Sequence, residues 1–269
     1  MTQRPFKDLI MQLDAWYPQE YAEEWDKVGL HFGDPQGQVD RIMVALDLRP
    51  QVLQEAIDRQ CDTLIVHHPP IFHAIDRFDL SDPQIKLYHD VIQAGLKVYA
   101  IHTNYDRARD GMNDVLAQVL QLEEVTDLTG SADDLPSLGR VGLLNQALNR
   151  QDFLNHLMTC LEISYLKIME KTPRDSYQRV AVIGGSGSDF IEAVAQADVD
   201  AFITGDITYH SGHDFYEQDW MTVDAGHHIE HHFADFLVEK LQQCSIIKGW
   251  NIEVVASQVT SDPFEYIHK

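Results

Sequence analysis

Cysteine is nearly absent from this chain of 269 residues: Cys61, Cys160 and Cys244 stand far apart, odd in number and in no CxxC spacing. That pattern excludes a disulfide framework and a thiolate zinc site, and it predicts a reducing compartment. Long apolar runs are missing as well. No stretch approaches membrane-spanning length, and the opening residues Met1 to Asp8 lack an apolar signal core, so a cytoplasmic protein with no membrane partner is expected. Basic residues are scarce: 20 Lys and Arg stand against 43 Asp and Glu, for a formal charge of -23. A surface that acidic repels phosphate backbones, which makes nucleic acid an unfavourable partner. The length allows one large domain or two medium ones with ample core.

What the chain does have is histidine at the ends of apolar runs. Leu64-Ile65-Val66 leads into His67-His68-Pro69-Pro70, Val98 to Ile101 leads into His102-Thr103-Asn104-Tyr105-Asp106, and Met221-Thr222-Val223 precedes Gly226-His227-His228-Ile229-Glu230. Imidazoles and carboxylates that emerge from buried strands are placed where a fold can gather them around a cation. A lone His is more often a core or surface residue; three such clusters favour a metal site.

The organisation is α/β. Arg41 to Leu46 lies over Arg179 to Gly184 and, at the same offset, Cys61 to Val66 lies over Val199 to Thr204. Each segment reads as a strand, a helix (Pro50 to Gln60; Asp189 to Ala197) and a second buried strand. An internal βαβ duplication follows, giving two similar α/β halves with a composite cleft between them. Further helices are expected over Phe6 to Trp16, Pro83 to Ala94, Asn113 to Leu120, Arg150 to Leu161 and Glu230 to Leu241. Thr126 to Ser137, rich in Asp, Ser, Gly and Thr, reads as the linker. Residues 1–128 then form the first half, with 251–269 as a candidate addition to its sheet, and 129–250 form the second. Parallel strands joined by helices put ligands at their carboxyl ends, where His67, His68, Asp106 and His227 all fall.

Pro69-Pro70 fixes a rigid extended exit after the histidine pair, from which two neighbouring imidazoles can reach two different cations; a merely solvated loop is the plainer alternative. Asp106 can bind a metal terminally, while His102 is open to a supporting, substrate-facing or structural role. Glu230 follows His227 by three residues at the start of a helix, which brings both onto one face. No His-Glu pair there has the HExxH spacing, so a metalloprotease is excluded. His228, His231 and His232 include surface residues under this reading. Gly184-Gly185-Ser186-Gly187 fits either an anion-holding loop or a tight turn. In the duplication His67-His68 falls on Gly205-Asp206, so the halves differ chemically; Asp206 and His210 could line the cleft without touching metal.

Together with Ala22-Glu23-Glu24-Trp25-Asp26-Lys27-Val28-Gly29-Leu30 and Thr204-Gly205-Asp206, these motifs resemble the NIF-three-like proteins, also known as GTP cyclohydrolase 1 type 2 homologs. The resemblance spans nearly the whole chain, in a short form without an inserted domain. It implies a dinuclear site with His67, His68, Asp106, His227 and Glu230 as ligands. Glu230 would bridge both cations, with His68 and Asp106 on one and His67 and His227 on the other. It also implies a toroidal homohexamer. Lys27 stands where the family often has Asn.

Two functions are compatible with these ligands. The first is a metal-dependent hydrolase of GTP cyclohydrolase type acting on a small molecule such as a nucleotide. Two divalent ions (zinc, iron, manganese or nickel) would activate water for attack on C8 of a purine, with His102 as a candidate proton shuttle. The second is a metal-binding, metal-delivery or scaffold protein without catalysis.

Overall fold

The computed structural model describes residues 4–129 and 135–267. Its strands are β1 (Arg4–Pro5), β2 (Gly29–Phe32), β3 (Gln38–Val39), β4 (Arg41–Ala45), β5 (Thr63–Val66), β6 (Lys97–Ala100), β7 (Glu123–Asp127), β8 (Arg140–Leu148), β9 (Lys167–Met169), β10 (Tyr177–Ser186), β11 (Ala201–Gly205), β12 (Met221–Asp224) and β13 (Glu253–Ala256). The helices are α1 (Phe6–Trp16), α2 (Pro50–Asp58), α3 (Pro83–Gln93), α4 (Thr103–Arg107), α5 (Met112–Val119), α6 (Arg150–Cys160), α7 (Ile191–Gln196), α8 (Tyr209–Tyr216) and α9 (Phe233–Lys248). The chain divides into two compact units: the residues up to Tyr105 with Phe233–Ser261, and Asp106–His232 with the residues from Asp262 onward.

The first unit is built on a five-stranded sheet in the order β13-β4-β5-β6-β2. The first four strands run parallel and β2 pairs antiparallel with β6 at the edge. β5 and β6 are buried at every position, as strands covered on both faces should be. Met43, Leu64, Val66 and Val98 on one face pack with Val52 and Leu53 of α2 and Leu87 and Val91 of α3. Each such fully buried side chain contributes about 1.5–3 kcal/mol. Helix α3 starts sharply because Asp82 accepts from the amides of Gln84 and Ile85 while Pro83 presets the first turn.

The second unit carries a six-stranded sheet, β7-β8-β10-β11-β12-β9, in which β10, β11 and β12 are parallel and the others antiparallel. Val141, Ala181, Ile183 and Phe202 pack with Val194, Phe215 and Trp220. The sequence repeat is visible as register: Ile42 pairs with Thr63 as Val180 pairs with Ala201, at the offset read from the sequence.

Two local expectations are corrected. The linker expected over Thr126 to Ser137 begins inside β7, an exposed, acidic edge strand whose sequence carries no hydrophobic alternation to read; residues 130–134 lie outside the described residues. The final helix was expected from Glu230, but His227–His232 form a 3₁₀ turn and α9 begins at Phe233. With three residues per turn, positions i and i+3 eclipse, which aligns His227 with Glu230 more closely than an α-helix would. Among the described residues no helix is long and apolar enough to cross a membrane.

Candidate metal centre

Each parallel strand that bears on the site delivers its polar residues just past its carboxyl end. In the first unit β5 stops at Val66 and the amides of His67 and His68 bond to the Leu46 carbonyl, at 3.1 and 3.0 Å. His67, His68 and His102 converge, each offering a ring nitrogen, and these atoms lie within 4.8 Å of one another. Their ring centroids are 4.9, 5.2 and 5.5 Å apart.

All three rings are held through Nδ1. His67 Nδ1–H donates to the Ile101 carbonyl at 2.9 Å, His68 Nδ1–H to Asp47 at 2.8 Å, and His102 Nδ1–H to Asp26 at 2.8 Å. An imidazole that donates from Nδ1 carries its lone pair on Nε2, which is how a protein fixes the tautomer and aim of a metal ligand. The anchors are themselves held. Asp26 also accepts from the amides of Lys27 and Thr103 and from the Thr103 hydroxyl. Burial pushes its carboxyl pKa up, but the bonds and charge of His102, with the Thr103 bonds, overcome this and hold it at about 2. Asp47 follows the same balance. Burial raises it, while His68, the Ser261 hydroxyl and the Arg49 charge bring it to about 2.

The second unit brings the other candidates together. Glu230 is buried, 2% exposed, and its Oε2 lies 3.1 Å from His227 Nε2. His227 Nδ1–H donates to Asp206 at 2.7 Å, repeating the anchoring seen for the other three rings. Asp106, on α4, is also buried, and its carboxylate lies within 4.8 Å of that of Glu230. The glycines at the end of β10 make room for this: a methyl built on Gly184 would sit 2.9 Å from Glu230 Oε1, and one on Gly185 3.1 Å from it. A buried carboxylate seated in a side-chain-free notch beside an anchored imidazole and a second carboxylate suits a divalent cation of borderline hardness.

Among the described residues the remaining histidines fall outside this set. His228 stacks on His231 with centroids 5.2 Å apart, and His231 on His232 at 4.1 Å. Burial, and then the neighbouring His231 and His228, push the His232 pKa down to about 4. His210 is exposed on α8 against Tyr209. The Lys27 side chain is exposed, and its carbonyl accepts from His31 Nε2 at 2.7 Å. Sequence reasoning missed Asp47 and assigned no role to Asp26. Asp47 lies just past the end of β4, so the strand-end rule applied there would have found it. Asp26 carries no such mark; it reaches His102 because antiparallel β2 enters the sheet where β6 leaves it, with Gly29 opposite Ala100.

Fold and donor set together define an α/β protein with side chains grouped so that they could hold a metal ion. The chain belongs to the Duf34/NIF3 (NGG1p interacting factor 3) family, whose profile matches residues 5–263. It is 34% identical over 263 residues to the GTP cyclohydrolase 1 type 2 homolog of Streptococcus pneumoniae, covering 97% of this chain and 98% of that one. A Staphylococcus aureus hypothetical protein, SA1388, is 27% identical with a TM-score of 0.93, over 99% of this chain and all of that one. Reduced HcgD from Methanocaldococcus jannaschii is 25% identical with a TM-score of 0.79, over 96% of this chain and all of that one.

Proposed function

We propose that this protein is a divalent-metal-dependent hydrolase of a small, nucleotide-like substrate. His67, His68, Asp106, His227 and Glu230 would hold two cations of the zinc, iron, manganese or nickel class, with Glu230 shared by both. The observation that carries the reading is that His67, His68, His102 and His227 are each anchored at Nδ1 by an oxygen, and so present Nε2 as a donor. A purely structural histidine needs no such uniform arrangement. Relatives named GTP cyclohydrolase 1 type 2 homolog support a purine-type substrate. The bound cations would supply Lewis acidity toward water and a substrate oxygen.

The chain's own residues then divide the work. Asp26 keeps Nδ1 of His102 protonated, so Nε2 takes a proton from the attacking water and returns it to the leaving nitrogen. Buried Glu230 and Asp106 would supply negative charge to the cations, and the Gly184–Gly185 notch gives the Glu230 carboxylate room. The site is expected to work in a cytoplasmic homohexamer.

The test is to strip the purified protein of metal, reload it with zinc, manganese or iron, and follow turnover on a panel of nucleotides and esters. Metal-dependent turnover is expected, and His102→Gln should lower it by at least about 100-fold while keeping its metal. Full metal loading with no turnover on the panel would refute the hydrolase and leave a metal-delivery protein.

A further inference from the structure

Helix α5 contains a buried amide that the ligand chemistry does not use. Asn113 is 1% exposed, and both ends of its side chain are committed. Nδ2 donates to the backbone carbonyl of Asp106 at 3.0 Å, and Oδ1 accepts from the backbone amide of Gly184 at 2.9 Å. One bond spans seven residues of sequence and the other 71. Each ends on the main chain beside a carboxylate of the candidate centre. A leucine would fill a similar volume but leave the Asp106 carbonyl and the Gly184 amide without this partner, so the amide is needed for the junction and not for packing.

Gly184 is the other half of the device. The methyl it lacks would meet Glu230 Oε1 at 2.9 Å, Met112 Cγ at 3.1 Å and Leu116 Cδ1 at 3.2 Å, the last two on α5 itself. β10 therefore approaches α5 and Glu230 as bare backbone, and Gly185 continues the notch with φ of +63°. The sequence left Gly184-Gly185-Ser186-Gly187 open between an anion loop and a tight turn. The Glu230 carboxylate already faces this notch, and its charge opposes a second anion there.

We propose that Asn113 is a positioning residue that locks the main chain of Asp106 to the Gly184–Gly185 cradle of Glu230, and so sets the spacing of the two carboxylates. This rests on Asp106 and Glu230 being metal ligands. No natural side chain of similar shape replaces it. Aspartate keeps the acceptor for Gly184 but turns a lone pair toward the Asp106 carbonyl, and leucine serves neither partner.

The experiment measures cobalt(II) binding to the full chain, by titration and by the visible d–d absorption, for wild type, Asn113→Asp, Asn113→Leu, Gly184→Ala and Thr222→Val. Thr222→Val removes the acceptor of the buried Trp220 indole N–H in the same unit and touches neither carboxylate. Both Asn113 variants and Gly184→Ala should bind cobalt about 10- to 100-fold more weakly with shifted d–d bands. Thr222→Val should melt earlier with wild-type affinity and spectrum. Wild-type affinity and bands in either Asn113 variant overturn the proposal, as does an equal loss in Thr222→Val, which would mark a general effect of destabilisation. If the Asn113 variants do not fold, Gly184→Ala decides: it crowds Glu230 from the other side of the same junction, and wild-type binding there overturns the cradle. No cobalt bound by wild type at all would instead refute the ligand reading itself.

Discussion

Replacing Glu230 by glutamine keeps the size of the side chain and removes one of two buried charges. The Asp106 and Glu230 carboxylates lie within 4.8 Å. Two like charges at that distance repel by about 3 kcal/mol at an effective dielectric of ~20. A metal-free fold carries that repulsion, and a bound cation turns it into attraction. Metal-free Glu230→Gln should therefore unfold no earlier than the metal-free wild type. Its response to metal should collapse. At a hundredfold excess over the dissociation constant, wild type gains about 2.7 kcal/mol from a bound ion, or roughly 5–10 °C in Tm for a chain of this size. The variant should gain less than ~2 °C. His228→Ala, whose ring stacks on His231 and lies outside the groups that could hold a metal ion, should respond as wild type does. Calorimetry with and without manganese, alongside metal stoichiometry by mass spectrometry, makes the comparison. Wild-type occupancy and a wild-type thermal gain in Glu230→Gln would refute the assignment of this carboxylate.

Gly226 adopts φ of +82°, and a methyl there would collide with the Tyr165 hydroxyl. Gly226→Ala should cost about 2–4 kcal/mol in urea unfolding, and adding Tyr165→Phe should recover part of it; an unchanged midpoint in the single variant counts against the close contact. Glu55 ties the Ser257 hydroxyl and the Gln258 amide to α2. Burial raises its pKa, but the bonds from Ser257, Gln258 and Arg59 bring it below the ordinary 4.5. Its contribution is thus full above the unfolded carboxylate's pKa and is lost as pH falls through the lower folded value. Glu55→Gln should cost about 1 kcal/mol at pH 7, the low end for a bond to a charged group because the side chain is partly solvated. The gap to wild type should close as pH falls from the ordinary carboxylate value of 4.5 through the lower folded one, and a pH-independent gap would contradict this.

Much of the fold was legible because its strands are short apolar runs with proline or capping residues at the helix starts. Pro50 and Pro83 mark α2 and α3, and Leu64-Ile65-Val66 reads as a covered strand. The clustering of His67 and His68 with His102 was legible through the same rule, since the parallel strands of one sheet place their carboxyl ends together. The 3₁₀ turn at His227–His232 was not, because its residues also suit an α-helix and only the turn's tighter winding distinguishes them. β7 escaped notice as an acidic edge. Asp26 and Asn113 were invisible for a different reason. Each acts across dozens of residues, through a hydrogen bond to a group that only the folded sheet brings near, and no spacing in the sequence records that.

The shared register of the two sheets gives each residue past a strand end a counterpart in the other copy. His68 corresponds to Asp206, and Asp47 to Gly185. In one copy this register position, just past β5, holds an imidazole steadied by Asp47; in the other, just past β11, it holds the carboxylate that steadies His227. Two frames of the same register thus carry different side chains at the same place. One frame holds an anchored imidazole where the other holds an anchoring carboxylate, so exchanging either residue for its counterpart would duplicate one office and leave the other vacant.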